Sequence, residues 1–312
     1  MRVSSDAPET ADGVPFAAEV NTAIRAARAG GDEVRRHYAT AGGSDPRPKA
    51  DGSPVTAADL ASDASIRAVL GDAFPEDAIL TEEGADDPAR LASRRVWIVD
   101  PLDGTKQFVA RTGDFDVLVA LVLDGLPVVA AAHHPPSGRT VSAVAGHGAW
   151  ADDGPGTPRR PLRFAPAPPA TPLRVVTSIW YGAPTSLPTL ARVAARGGFP
   201  PPPTLDTGLA PRYWATPTGD TDPTDRPFDA FLGWVPSGWM AGGEWDLVVT
   251  DLIVREAGGV CTDLWGRAHR YNKPTARNVG GMVIASDPAS HDRLLVAVAP
   301  DRPEPPPDPP SR

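Results

Sequence analysis

The sequence predicts a mixed α/β protein, built either as one large domain or as two sub-domains sharing an interface. Three observations carry that expectation. A chain of 312 residues can bury a large core. Short runs rich in β-branched and aromatic residues, such as Arg95-Val96-Trp97-Ile98-Val99, have the length of buried strands and end at turn residues. Longer stretches, above all 245–257, repeat apolar residues at helical spacing.

Taken in order, residues 1–14 are small and polar and read as a disordered leader. Apolar positions Phe16, Val20, Ile24 and Val34 then recur near helical spacing, which places a first helix over most of 16–38. Gly30-Gly31 is expected to bend or interrupt it. A turn through Pro46 and Pro48 leads to Thr56, an N-cap with Asp59 at the third helical position, opening a helix that reaches Gly71. Phe74-Pro75 ends that helix, and Ala78-Ile79-Leu80 is a short strand delivering Glu82 and Glu83. The runs at 115–123, 127–133 and 140–144, separated by Asp124-Gly125 and Pro135-Pro136-Ser137-Gly138, read as an antiparallel meander. These elements belong to an N-terminal sub-domain over 15–165. After a Pro-rich linker near 168, a C-terminal sub-domain over 170–300 is expected. It holds a strand at 173–177, a helix at 187–196, a polar, turn-rich segment at 206–225 and a strand at 228–235. The helix at 245–257 follows, closed by Gly258 in the left-handed C-terminal position, then strands at 260–264 and 282–285 and a helix at 288–298. The Pro-rich tail at 301–312 cannot bury enough surface to fold and reads as disordered.

The 39 acidic residues outnumber the 30 basic ones, and the formal charge of -9 disfavours a binder of nucleic-acid backbone, which needs a basic face. It suits a soluble enzyme whose site holds cations. The single cysteine, Cys261, rules out an intramolecular disulfide and a thiolate metal cluster. It reads as a small buried hydrophobe in a cytoplasmic protein. No apolar stretch has the length of a membrane span, and the amino terminus lacks the apolar core of a signal peptide.

Most of the chemistry follows the strand at 95–99. That strand is expected to stop at Asp100-Pro101, because the pyrrolidine ring cannot continue a ladder. Asp100, Asp103 and Thr105 then crowd into one turn, and Gly104 can bend the chain so that all three side chains converge. Such a cluster repels itself unless a cation joins it, and oxygen-only ligands select a hard divalent ion such as Mg2+.

Asp100-Pro101-Leu102-Asp103-Gly104-Thr105 resembles the first signature of the inositol monophosphatase superfamily, a group of Mg2+-dependent, lithium-sensitive phosphatases. Trp245-Asp246, followed by an apolar helix ending in Glu256-Ala257-Gly258-Gly259, is similar to the second signature. Lys49-Ala50-Asp51-Gly52-Ser53-Pro54-Val55-Thr56-Ala57-Ala58-Asp59 and Thr81-Glu82-Glu83-Gly84 are similar to two further pieces, in the family's order. The resemblance implies an αβαβα sandwich of two sub-domains, like that of inositol monophosphatase and fructose-1,6-bisphosphatase. It implies two or three Mg2+ ions held by Glu82, Asp100, the Leu102 carbonyl, Asp103 and Asp246. The catalytic groups it implies are Thr105, Glu82 and Asp59, with Thr105 hydrogen-bonded towards Glu82 or Asp59 so as to orient water and help deprotonate it. Asp103, Gly104, Thr105 and Lys106 are implied to surround the substrate phosphate. From local sequence alone, Asp59 and Asp246 also read as helix caps.

The implied substrate is a small phosphorylated metabolite, with no nucleic-acid polymer or membrane as partner, and a homodimer is common in the family. The segment at 49–56 and Lys106 look most like the 3'(2'),5'-bisphosphate nucleotidase branch. Thr177-Ser178-Ile179-Trp180 lacks that branch's arginine, and Asp206-Thr207-Gly208 followed by an insertion at 217–227 also departs from it. A sugar phosphate, an inositol phosphate or histidinol phosphate therefore stays open as substrate, as does a catalytically idle ligand-binding homologue, which the complete acidic set disfavours. A covalent phosphatase of the haloacid-dehalogenase type would show Asp-x-Asp-Gly-Thr, whereas two residues separate Asp100 from Asp103. His133-His134 is not expected to be a ligand pair, because neighbours on a strand point to opposite faces and leave one histidine buried and one exposed. Trp234, Trp239 and Trp245 are expected in the core and pocket wall, and Arg159-Arg160 in a solvated loop.

Overall fold

The computed structural model describes residues 15–40, 46–48, 54–164, 166–167, 172–178, 187–205, 228–233, 240–302 and 304–305. The first half of the chain contributes α1 (Ala17–Tyr38), β1 (Arg47–Pro48), β2 (Pro54–Val55), α2 (Ala57–Ala73), β3 (Ala78–Thr81), β4 (Arg95–Asp103), α3 (Thr105–Val109), β5 (Asp116–Leu123), β6 (Leu126–His134), β7 (Arg139–Val144), β8 (Gly148–Asp152) and β9 (Arg160–Leu162). The second half contributes β10 (Val175–Ser178), α4 (Leu187–Gly197), β11 (Thr204–Leu205), β12 (Ala230–Gly233), β13 (Met240–Gly243), α5 (Glu244–Glu256), β14 (Val260–Thr262), β15 (Arg277–Val279), β16 (Met282–Ala285) and α6 (Pro288–Val298).

Seven strands form one sheet in the order β3-β4-β5-β6-β7-β8-β9, in which β3 and β4 are parallel and the remaining neighbours antiparallel. Successive side chains leave a strand on opposite faces, so each strand supplies two cores. Trp97, Val99, Val117, Val119 and Leu121 pack under α1 and α2 with Ile24, Val34 and Ile66. Val96, Ile98, Leu118, Ala120 and Val122 point the other way, onto α5. A second sheet, β11-β10-β12-β16-β14, repeats the alternation. Its Val176, Phe231 and Ile284 join the α5 layer, whereas Val175, Leu232 and Val283 pack against α4 and α6. The layers are therefore helix pair, sheet, helix, sheet and helix pair, an αβαβα sandwich. Because α5 lies between two sheets it must be apolar nearly all round, and Leu247, Val248, Val249, Leu252, Ile253 and Val254 are all buried.

Several expectations need correction. α1 is unbroken through Gly30-Gly31. The glycines serve close approach instead: a Cβ on Gly30 would stand 2.6 Å from Ser62 Oγ and 2.8 Å from Ile66 Cδ1 on α2. Gly30→Val should thus destabilise the protein by roughly 1–3 kcal/mol through overpacking, a loss that denaturant titration would read; wild-type stability would show that the helices part at no cost. β4 does not stop at Asp100-Pro101 but continues to Asp103. Arg160 opens β9 and both Arg159 and Arg160 are half-buried, with Arg159 donating to Asn21 Oδ1 at 3.0 Å and Arg160 paired to Asp153. The histidines split as alternation requires, His133 buried against Thr140 and His134 partly exposed with Nε2 on the Gly113 carbonyl. Burial and the nearby Arg28 and Arg35 push His133 down to about 4, so it stays neutral.

Candidate active site

The parallel pairing of β3 with β4 sets Thr81 opposite Val99, so the two strands end side by side and release Glu82 and Asp100 together. The Glu82 N–H donates to the Val99 carbonyl at 3.2 Å. Beyond this point the ladder with β5 slips, since Asp100 pairs with Leu118 but Asp103 with Asp116. In a regular strand, residues three apart face opposite ways; the extra residue of the bulge returns Asp103 to the side of Asp100. Pro101 occupies the bulge, where no ladder N–H is required of it. Ser62 on α2 donates to the Pro101 carbonyl at 2.8 Å, and the Leu102 N–H donates to Asp100 Oδ1 at 3.0 Å. Gly104 then turns the chain into α3 at φ 95, where a Cβ would meet the Asp114 carbonyl at 2.7 Å, so glycine is required on both steric counts.

Asp246 approaches from the other side on the first turn of α5, where it accepts the Gly243 N–H at 2.5 Å, a capping contact at a helix N-terminus. One carboxylate oxygen from each of Asp100, Asp103 and Asp246 lies within 4.8 Å of the others. Burial, then the charges of Glu82, Asp103 and Asp246, raises Asp100 well above the usual carboxylate range. Burial, Glu82 and Asp103 do the same to Asp246, against the opposing Gly243 N–H and Arg277. Glu82 thus acts on both Asp100 and Asp246 while its own carboxylate stands outside the group of three. Crowded oxygen ligands whose ionisation is suppressed by one another fit a hard divalent cation, which would relieve that repulsion.

Beside this group lies a hydroxyl-carboxylate pair. Asp59, 1% exposed, accepts the N–H and the hydroxyl of Thr56 on Oδ2 at 2.8 and 2.6 Å, and the hydroxyl of Thr105 on Oδ1 at 3.0 Å. One oxygen caps α2, as the local sequence predicts, and the other faces Thr105. Thr105 Oγ1 also lies 3.2 Å from the Leu102 carbonyl, and of the two partners expected for Thr105 the structure selects Asp59. Burial raises the Asp59 pKa, opposed by the hydrogen bonds from Thr56 and Thr105. Lys106 is exposed on the first turn of α3, and Trp245 is half-buried with the Arg277 guanidinium 5.8 Å from its ring centroid.

Two neighbours of the site escape a reading of the sequence. Asp116, buried, is the register partner of Asp103, and its signal was a carboxylate breaking the apolar run of β5. Arg277 acts on Asp246 from β15, a pairing between distant segments that no local pattern announces. Lys49 to Ser53, Ile179 and Trp180, Asp206 to Gly208, the insertion at 217–227, Trp234 and Trp239 lie outside the described residues.

The model of the inositol monophosphatase family matches residues 17–196. Among curated proteins, the chain is 44% identical over 106 residues to a 3'(2'),5'-bisphosphate nucleotidase CysQ of Aggregatibacter actinomycetemcomitans, a match covering 33% of this chain and 39% of that relative. It is 32% identical over 256 residues to a histidinol-phosphatase of Mycobacterium tuberculosis, covering 79% of this chain and 85% of the relative. Among solved structures, CysQ from Bacteroides thetaiotaomicron superposes with a TM-score of 0.67 at 25% identity, over 88% of this chain and 99% of that one. The bulged acidic strand, the αβαβα layers and these matches agree, and the chain belongs to the inositol monophosphatase family of phosphoric monoester hydrolases.

Proposed function

We propose that the chain hydrolyses a small phosphorylated metabolite with Mg2+, using Glu82, Asp100, the Leu102 carbonyl, Asp103 and Asp246 as metal ligands and Thr105 with Asp59 as the proton acceptor for water. The observation that carries the reading is the adjacency of the three carboxylates, their oxygens within 4.8 Å, to the Thr105–Asp59 hydrogen bond of 3.0 Å. Bound Mg2+ supplies charge neutralisation and acidifies water. The chain supplies the rest. Thr105 gives its only hydroxyl proton to Asp59, which leaves an oxygen lone pair to accept a proton from the attacking water. As that proton moves to Thr105, the Thr105 proton moves to Asp59 Oδ1, whose basicity burial has raised. Thr56 holds the other Asp59 oxygen still during the exchange. The backbone N–H groups of Gly104, Thr105 and Lys106 would donate to the phosphate oxygens, whose charge strengthens such bonds.

In this reading the site straddles sub-domains at 15–165 and 170–300, and the enzyme is cytoplasmic and inhibited by Li+. Phosphate release should stop in EDTA and return with added Mg2+; release that persists in excess chelator overturns the assignment. A nucleoside 3',5'-bisphosphate is the first substrate reading, supported by the local identity to the nucleotidase and by Lys106 directly after Gly104-Thr105. Histidinol phosphate is the second, supported by the relative that aligns over 79% of this chain. A comparison of kcat/KM on adenosine 3',5'-bisphosphate, histidinol phosphate, inositol 1-phosphate and fructose 1,6-bisphosphate separates them.

A further inference from the structure

Three segments meet at the start of α5: the 3-10 turn at Pro88–Ala92, the first turn of α5 and the loop before β15. Glu244, two residues before Asp246, is 0% exposed. Its Oε2 accepts the Asn272 N–H at 2.6 Å, and its Oε1 accepts the Lys273 N–H at 2.9 Å and pairs with Lys273 Nζ at 2.6 Å. Asn272, 3% exposed and held at φ 60, spends both ends of its amide on Arg90. Its Oδ1 accepts from Arg90 Nη1 at 2.6 Å and its Nδ2 donates to the Arg90 carbonyl at 3.0 Å. Arg90, 2% exposed, also donates from Nη2 to the Lys273 carbonyl at 3.0 Å and grips Asp86 through Nε and Nη2 at 2.6 and 2.9 Å. Asp86 follows Glu82 by four residues.

Net stability is a poor explanation for this arrangement, because buried charges seldom stabilise more than apolar residues of the same size. A network that uses its donors and acceptors so fully does give one defined geometry. None of Glu244, Asn272 and Arg90 belongs to the acidic group, yet the chain runs from Glu244 straight to Asp246 and from Asp86 straight back to Glu82. We infer that Glu244, Asn272 and Arg90 are positioning residues that fix the spacing of Asp246 from Glu82 across the two sides of the site, and thereby set its affinity for a divalent cation. The inference rests on the reading of the acidic group as a cation site.

The test is calorimetric titration of the full chain with Mg2+ alone, in wild type, Arg90→Lys and Glu244→Gln. Arg90→Lys keeps the charge but cannot span Asp86, Asn272 and Lys273 with a planar fork. Glu244→Gln keeps the size but loses the charge that holds Lys273. Both variants should bind Mg2+ roughly 10- to 100-fold more weakly, the range for residues that orient metal ligands, while the KM for a phosphate ester at saturating Mg2+ stays near wild type. Leu294→Ala, a cavity in the outermost core, should lower the melting temperature and leave Mg2+ affinity unchanged. Wild-type affinity in folded Arg90→Lys and Glu244→Gln overturns the inference and leaves the cation site standing, and so does an equal loss in Leu294→Ala. Absence of Mg2+ binding in the wild type overturns the cation site itself. Should Arg90→Lys fail to fold, Asn272→Asp decides: it keeps the left-handed backbone but sets a charged acceptor against the Arg90 carbonyl in place of the Nδ2 donor, and wild-type Mg2+ affinity in the folded variant overturns the inference.

Discussion

Thr105→Val should fold, bind Mg2+ as wild type does, and lose about 10²–10⁴ in kcat, the usual contribution of a positioned acid-base group. Valine matches threonine in shape and replaces only the hydroxyl, so beyond the 3.2 Å contact to the Leu102 carbonyl the backbone of α3 and of the bulge is left alone. Asp59 keeps its two hydrogen bonds from Thr56 and goes on capping α2. What disappears is the oxygen 3.0 Å from Asp59 Oδ1 through which a proton could reach that carboxylate. Thr105→Ser restores the oxygen and should restore most of the rate. Asp59→Asn makes the complementary test, because the asparagine amide oxygen can still accept the Thr56 N–H at the third helical position but there is no carboxylate to take a proton. Single-turnover phosphate release at saturating Mg2+ reads all three, and a Thr105→Val enzyme turning over near the wild-type rate would remove Thr105 from the proton path.

The elements with a period of their own were legible in the sequence. The helix predicted at 245–257 is observed as Glu244–Glu256, and the strand at 282–285 and the helix at 288–298 coincide with β16 and α6. Burial decided these segments, so their apolar pattern carried the signal. The strand through Asp100 was misread because proline is a local prohibition, whereas the ladder with β5 is a tertiary fact that tolerates Pro101 by inserting a bulge. β8 and β9 were missed for a related reason. Gly148-Ala149-Trp150-Ala151-Asp152 and Arg160-Pro161-Leu162 have little strand propensity and become strands by adding in turn to the β7 side of the sheet, with β9 at its edge. The glycines of α1 looked like breakers because sequence shows what glycine permits and hides what stands opposite it.

Of the residues the motifs singled out, Asp100, Asp103 and Asp246 come together and Thr105 meets Asp59, but the motifs could not tell capping from chemistry. For Asp59 the choice was a false one, since the two oxygens of a single carboxylate serve different neighbours. Glu244, Asn272 and Arg90 were illegible on different grounds. No local pattern marks them, and only the meeting of Arg90 with Asn272, 182 residues on, and of Asn272 with Glu244, 28 residues back, makes them a buried network.

Asp246→Asn should abolish turnover, leave the fold intact, and make the metal-free protein more stable than wild type at neutral pH. The sign follows from linkage. In the metal-free fold, burial, Glu82 and Asp103 raise the Asp246 pKa above its value of 3.8 in the unfolded chain. Folding therefore favours the protonated form: the penalty on the ionised group is absent below 3.8, grows as pH rises towards the raised folded value, and is complete above it. The Asp246→Asn variant carries no such penalty, so in EDTA its advantage over wild type should be largest at neutral pH and vanish as pH falls towards 3.8. Mg2+ reverses the order. A ligand stabilises in proportion to its binding to the native state, so the Mg2+-dependent rise in melting temperature should shrink in the variant while it persists in wild type. A purely capping role predicts something else, because asparagine can accept the Gly243 N–H as aspartate does. Turnover and the Mg2+-dependent melting shift would then both stay near wild type, and the α5 side of the site would have to be abandoned.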